Sequence, residues 1–235
     1  AGFTGADLEN LLNEAAILAA KEGRIFLKQE DIKKAFVKVG IGAEKKSRVI
    51  SEKEKRITAF HEAGHAILFH VLPDVGPVYS VSIIPTGGAG GYTMPLPEND
   101  EMFHTKGKML QDITVALGGR VAEEEVLDDI TTGASQDIKQ ATSLAKSMVT
   151  KFGMSEAVGL INYDNENEEV FIGRDLAHAS RGYGESVATT IDQEVKRIID
   201  ECYGRARAVI KKYDDVLHAC AELLLEKLEV ASLLN

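Results

Sequence analysis

Two histidines, His61 and His65, are four positions apart in a segment whose apolar residues recur at helical spacing. Residues four apart lie on the same face of an α-helix, so a helix here would bring the two imidazole rings together. Ser51 and Glu54 have the pattern of a capping box, and Pro73 ends the apolar repeat. The sequence therefore predicts a helix that begins directly after Ser51 and stops before Pro73, with both histidines beside its apolar stripe.

Glu62 completes an H-E-x-x-H pattern with these histidines. Two imidazoles on one helix face can hold a zinc ion, and a neighbouring carboxylate can take a proton from activated water, as in zinc-dependent proteases. An ordinary pair of core or surface histidines is the alternative, which Glu62 and the helical setting disfavour. Leu68 and Val71 stand where a metzincin would need glycine and histidine, which excludes that subclass. His61 and His65 are thus predicted metal ligands, and Glu62 is the predicted general base.

The third ligand is not fixed by this pattern, because a catalytic zinc site needs three protein ligands and keeps the fourth position for water. Glu123 and Glu124 lie in a helix predicted over residues 111–127, and a glutamate from a second helix completes thermolysin-like sites. Asp137 lies near the start of a helix predicted over residues 135–152, at the margin of its apolar stripe. A carboxylate there is costly unless it is paired or metal-bound, although the helix dipole also favours a first-turn aspartate. The residues alone leave both alternatives open.

Four motifs follow one another along the chain. They are His61-Glu62-Ala63-Gly64-His65, Leu117 to Glu124, Thr132 to Ile138, and Phe171-Ile172-Gly173. Together they resemble the FtsH family of membrane-bound, ATP-dependent zinc metalloproteases. The resemblance implies that Asp137 is the third zinc ligand, because in this family the ligand is the aspartate of the Thr-Gly-Ala-x-x-Asp segment. It leaves Glu123 and Glu124 as candidates either for supporting the ligands or for a structural role.

The first forty or so residues predict two short helices. Thr4 and Asp7 fit a second capping box, Gly23 suits the end of the first helix, and residues 31–39 have the pattern of another. Such a pair also fits helix-turn-helix DNA-binding proteins and plain helical hairpins. Because the pair precedes the zinc motif, segments within residues 2–16 resemble the end of the helical subdomain of an AAA+ ATPase module.

The predicted fold is mainly α: a helical zinc metalloprotease domain with a small β element, preceded by a short helical remnant of an AAA+ module. The expected division is 1–42 for the AAA+ remnant, 43–50 for a glycine-bearing charged linker, and 51–235 for the metalloprotease domain. Strands are predicted from Val78 to Pro85 and from Gly91 to Leu96, joined by a glycine-rich turn.

Two amphipathic helices are predicted over residues 186–213 and 216–228. Cys202 and Cys220 lie in them without metal-type spacing, which predicts reduced thiols in a cytosol-like compartment. The net charge of -10 argues against nucleic acid or anionic lipid as a partner. The sequence contains neither a G-x-x-x-x-G-K-[ST] phosphate loop nor an apolar run of membrane-spanning length, so neither ATP hydrolysis by that route nor a membrane span is expected of these residues.

The resemblance also implies a function. The chain would be the zinc endopeptidase domain of an ATP-dependent protease that degrades unfolded or membrane-associated proteins, with metal-activated water attacking the peptide carbonyl. Zn²⁺ would be its cofactor, and its partners would be substrate proteins and further copies of itself in a hexamer. The full-length parent would lie at the membrane with this soluble domain on the cytoplasmic side. A competing hypothesis is an inactive assembly module with a closed, structural metal site.

Overall fold

The computed structural model describes residues 3–43, 50–87, 89–96, 102–127, 130–163 and 183–231. The elements in chain order are α1 (Gly5–Lys21), α2 (Gln29–Gly40), α3 (Glu52–Val71), β1 (Val78–Ser82), β2 (Tyr92–Pro95), α4 (Lys106–Ala116), α5 (Gly118–Leu127), α6 (Ser135–Thr150), α7 (Glu185–Lys212), α8 (Asp214–Lys227) and β3 (Glu229–Ala231). The predicted fold class, mainly helical with a small β element, is confirmed. The Phe171-Ile172-Gly173 motif lies outside the described residues.

The chain forms two compact units. One contains Ala1–Met102 together with Tyr213–Asn235, and the other contains Phe103–Lys212. This grouping follows spatial contacts, whereas the division into 1–42, 43–50 and 51–235 follows sequence motifs, so those boundaries stay a prediction. Most of the expected linker, residues 44–49, lies outside the part of the chain that the structure describes.

In the first unit, α1 and α2 form the predicted helical pair. The hydroxyl of Thr4 accepts from the amide of Asp7, whose carboxylate accepts from the Thr4 amide, so the expected capping box is present. Gly23 follows α1 with a φ of +71°, a conformation that glycine adopts without strain. The core of the pair consists of Leu11, Ala15 and Ala35, with Leu18, Ile32 and Phe36 packed against it.

The same unit contains α3, which begins and ends where the sequence predicts. Ser51 and Glu54 form the expected capping box, and the helix ends at Val71, two positions before Pro73. Helix α8 packs against α3, and so do strands β1 and β2. The helix is therefore covered on several sides, and its central residues from Ala59 to Leu68 are mostly buried.

The small sheet has the strand order β2-β1-β3, and both pairings are antiparallel. Val81 in the central strand lies opposite Thr93 on one side and Val230 on the other. The sequence predicted β1 and β2, although β1 ends at Ser82 rather than at Pro85. It did not predict β3, because three residues at the end of a helix carry too little pattern to be recognised as a strand.

In the second unit, the helix predicted over residues 111–127 is two helices, α4 and α5, which are separated at Leu117. The prediction of one helix was wrong: α4 ends at Ala116, and Gly118 and Gly119 are the first residues of α5. The apolar faces of α4, α6 and α7 form one core, which includes Met109, Ile113, Ala141, Met148, Ile191, Ile198 and Cys202.

The two cysteines are free and buried, one in each unit. Burial raises the pKa of Cys220 to about 11 and also raises the pKa of Cys202. Because the thiolate is the reactive form, both thiols are poor nucleophiles and poor metal ligands in this fold.

Candidate metal centre

The two histidines meet on one face of α3, as their spacing predicted. Their Nε2 atoms are 3.1 Å apart, and the ring centroids are separated by 4.7 Å with the planes at 74°. Two nitrogens that bind one tetrahedral zinc at 2.0–2.1 Å each are about 3.3 Å apart. The separation of the two nitrogens therefore suits two ligands of a common ion. His65 is buried, with 7% of its surface exposed.

Asp137, the other predicted ligand, lies in the first turn of α6 and is half-buried. It belongs to the second compact unit, whereas both histidines belong to the first, so its role as the third ligand stays a prediction. Two imidazoles and one carboxylate would form a donor set that zinc accepts, with a fourth position available for water.

Glu62 is buried beside His61 on α3, with 5% of its surface exposed. The hydroxyl of Thr93 in β2 lies 2.8 Å from Glu62 Oε2 and 3.1 Å from the Glu62 backbone carbonyl oxygen, and it donates to these acceptors. A buried carboxylate needs such a partner, because an unpaired charge is strongly disfavoured away from water. The strand next to α3 thus takes part in holding the predicted general base.

Gly91 lies directly before β2, and because it has no side chain the Glu62 carboxylate can lie next to it. A Cβ atom at this position would lie 2.6 Å from the carbonyl oxygen of Ser82, 2.7 Å from Thr58 Cγ2 and 2.9 Å from Glu62 Oε1. These separations are shorter than van der Waals contact, and one of the atoms belongs to the backbone of the neighbouring strand. A side chain at position 91 would therefore force either the sheet or the Glu62 carboxylate to move.

Gly91→Ala should accordingly destabilise the protein by about 1–3 kcal/mol, the usual range for overpacking a tight site. Gly90→Ala is the matched control, because a Cβ there meets only Thr58 Oγ1, at an ordinary 3.5 Å. The control should lie within about 0.5 kcal/mol of the parent. Urea unfolding of the two variants measures the difference, and equal stability would show that the close approach at Gly91 is not a real constraint.

Glu123, another carboxylate considered as a ligand, binds a loop. It is 1% exposed, and its Oε2 accepts from both the amide and the hydroxyl of Thr131, each at 3.0 Å. The Thr131 hydroxyl oxygen in turn accepts from the amide of Gly133 at 3.0 Å. Glu123 therefore fixes the loop that leads into α6 and to Asp137.

Arg120, one turn earlier on α5, binds the same loop. Its Nη1 donates to the carbonyl oxygen of Thr131 at 3.0 Å, and its Nε donates to Glu124 at 3.0 Å. Glu124 also accepts from the hydroxyl of Tyr203, and burial, followed by this hydrogen bond, raises the pKa of Tyr203 to about 12. The two glutamates thus make different contacts: Glu123 binds the segment before α6, whereas Glu124 binds Arg120 and Tyr203.

The model of peptidase family M41 matches residues 48–232. The chain belongs to this family. A model of the AAA+ lid domain matches residues 1–34, in agreement with the predicted helical remnant of an AAA+ module. Membership in family M41 confirms the predicted metallopeptidase class, and the imidazole pair of His61 and His65 suits the predicted Zn²⁺ cofactor.

Curated relatives of this M41 chain are named as ATP-dependent zinc metalloproteases FtsH. The protein from Caldicellulosiruptor bescii is 56% identical over 227 residues, which cover 97% of this chain and 37% of the relative. The protein from Thermotoga maritima is 49% identical over 227 residues, covering 96% of this chain and 37% of the relative. The chain thus spans little more than a third of these relatives. None of the helices in the described ranges is both long and apolar enough to cross a membrane.

Proposed function

We propose that this chain is the peptidase part of an ATP-dependent zinc metalloprotease and hydrolyses peptide bonds of unfolded or membrane-associated proteins. The observation that carries the proposal is the imidazole pair on one face of α3, where the Nε2 atoms of His61 and His65 are 3.1 Å apart beside buried Glu62. Membership in peptidase family M41 and the names of the relatives support the same reaction.

The roles of the individual side chains follow from their chemistry. His61 and His65 would bind the ion through Nε2, and Asp137 through a carboxylate oxygen. When bound, zinc lowers the pKa of water in its open position toward neutrality and polarises the substrate carbonyl. Glu62 accepts the proton of the attacking water on its carboxylate and delivers it to the leaving amine.

Structural zinc sites are closed by four protein ligands, whereas catalytic sites use three and leave one position open. The proposed ligand set of His61, His65 and Asp137 has three members, so the proposal is a peptidase rather than an inactive assembly module.

The whole protein is proposed to combine this domain with an ATPase. The match of residues 1–34 to an AAA+ lid domain and the names of the relatives support that arrangement. On the resemblance to the FtsH family, the parent would assemble as a hexamer at a membrane, with this domain on the cytoplasmic side. Its substrates would be proteins that the ATPase delivers in unfolded form.

Metal analysis combined with a degradation assay tests the proposal. The purified chain should contain about one zinc per molecule and should degrade unfolded casein slowly. A chelator should abolish the activity, and added Zn²⁺ should restore it, because the reaction requires the activated water. Undiminished casein degradation by protein shown to be metal-free would contradict the proposal, and so would a zinc-loaded chain without any peptidase activity.

A further inference from the structure

Strand β2 approaches Glu62 from outside the zinc-binding motif. Thr93 and Gly91 are two positions apart, so they face the same side of the chain as it enters the strand. The Thr93 hydroxyl binds Oε2 of Glu62, and Gly91 lies beside Oε1. Thr93 therefore binds one carboxylate oxygen of Glu62, and Gly91 has no side chain that would crowd the other oxygen.

The Thr93 hydroxyl is well suited to fix this carboxylate. It lies within hydrogen-bonding distance of two acceptors of the same residue, the carboxylate at 2.8 Å and the backbone carbonyl at 3.1 Å. The shorter contact is to the charged group, and hydrogen bonds to ionised acceptors are roughly twice as strong as neutral ones. Because both contacts are to Glu62, the hydroxyl ties the orientation of its carboxylate to the backbone of α3 and to β2.

We propose that Thr93 is a positioning residue for the peptidase reaction: its hydroxyl holds the Glu62 carboxylate in the orientation that receives the proton of the attacking water. The proposal rests on the proposed role of Glu62 as general base. Its physical basis is that catalytic groups act efficiently only when they are held close to the productive geometry by their neighbours. Thr93 touches Glu62 and acts through it.

Thr93→Val tests the proposal, because valine has nearly the shape of threonine but no hydroxyl. A hydrogen bond to a charged group is worth enough to change a rate by about tenfold or more. We expect kcat on a peptide substrate to fall by about tenfold, with KM changed by less than about threefold and with full zinc content. Thr93→Ser retains the hydroxyl and should keep kcat within about threefold of the parent.

Thr150→Val is the matched control. Thr150 is a buried threonine, whereas Thr93 is half-buried, and the Thr150 hydroxyl donates to the Lys146 carbonyl oxygen at 2.9 Å within α6. It makes no contact with Glu62 among those described, so this variant should keep the parental kcat. If Thr93→Val fails to fold, Thr93→Ala compared with Thr93→Ser supplies the same test of the hydroxyl.

A double-mutant cycle separates this inference from the proposed function. In a Glu62→Gln background the Thr93→Val change should have no further effect on residual hydrolysis, because there is no base left to position. The role of Thr93 would be overturned if Thr93→Val lowered kcat equally in both backgrounds or left kcat unchanged in zinc-loaded protein. It would also be overturned if Thr93→Val and Thr93→Ser lowered kcat equally. Near-normal turnover by Glu62→Gln alone would instead reject the mechanism on which the inference depends.

Discussion

Glu62→Gln should slow peptide hydrolysis by roughly a hundredfold or more, while the protein keeps its fold and its metal. Glutamine has almost the same volume as glutamate, so it can occupy the same buried space on α3 and can still accept a hydrogen bond from Thr93. It cannot take up a proton from the attacking water, and general-base catalysis typically contributes about 10²–10⁴-fold. The measurement is kcat on unfolded casein, with zinc content and melting temperature determined on the same preparation.

Glu52→Gln is the control for this result. Glu52 is an exposed glutamate in the first turn of the same helix, where it pairs with Lys55 at 2.6 Å. An exposed pair of this kind contributes about 1 kcal/mol or less to stability, so the control should have the parental rate. If Glu62→Gln also hydrolyses casein at a near-parental rate, Glu62 is not the base.

Asp137→Asn should weaken zinc binding by more than about a hundredfold. The change replaces a charged ligand atom by a neutral amide oxygen. The loss of zinc affinity should therefore exceed the roughly 10–100-fold loss that typically follows removal of a group which only supports a ligand. Competition with a chromophoric chelator measures the affinity. The melting temperature in the presence of zinc should fall along with it, because a metal that binds only the native state stabilises that state.

Glu123→Gln and Asp200→Asn complete the comparison. Glu123→Gln loosens the Thr131 loop without removing the proposed ligand, so its effect on affinity should be the smaller one. Asp200 is an exposed aspartate paired with Lys196 on α7, and its asparagine variant should bind zinc like the parent. If Glu123→Gln loses as much affinity as Asp137→Asn, the assignment of Asp137 as the third ligand is not supported.

The part of the site on α3 could be predicted from local sequence. The capping box at Ser51 and Glu54, the spacing of the two histidines and the stop before Pro73 all act within one helix, where periodicity decides which side chains meet. Residues three and four positions apart are neighbours in any α-helix, whatever the rest of the fold does.

The rest of the site depends on contacts between segments far apart in the chain. Asp137 and Glu123 both lie beside apolar stripes, so periodicity alone could not decide which of them accompanies the histidines. Thr93 is 31 positions from the carboxylate that it binds, and no pattern around it indicates that contact. The same holds for Thr131, eight positions from Glu123 across the turn between α5 and α6.

The first compact unit cannot be completed until the end of the described chain has been synthesised. That unit consists of Ala1–Met102 and Tyr213–Asn235, with the whole second unit between them in sequence. Ser80 of β1 and Glu229 of β3 are 149 positions apart, and pairings over such distances are slow to form. The second unit is continuous in sequence, so all of its residues are synthesised before α8. Until then α3, which bears both histidines, lacks α8 as its packing partner. The helix that presents the imidazole pair therefore acquires its full packing only after residues 214–227 have been synthesised.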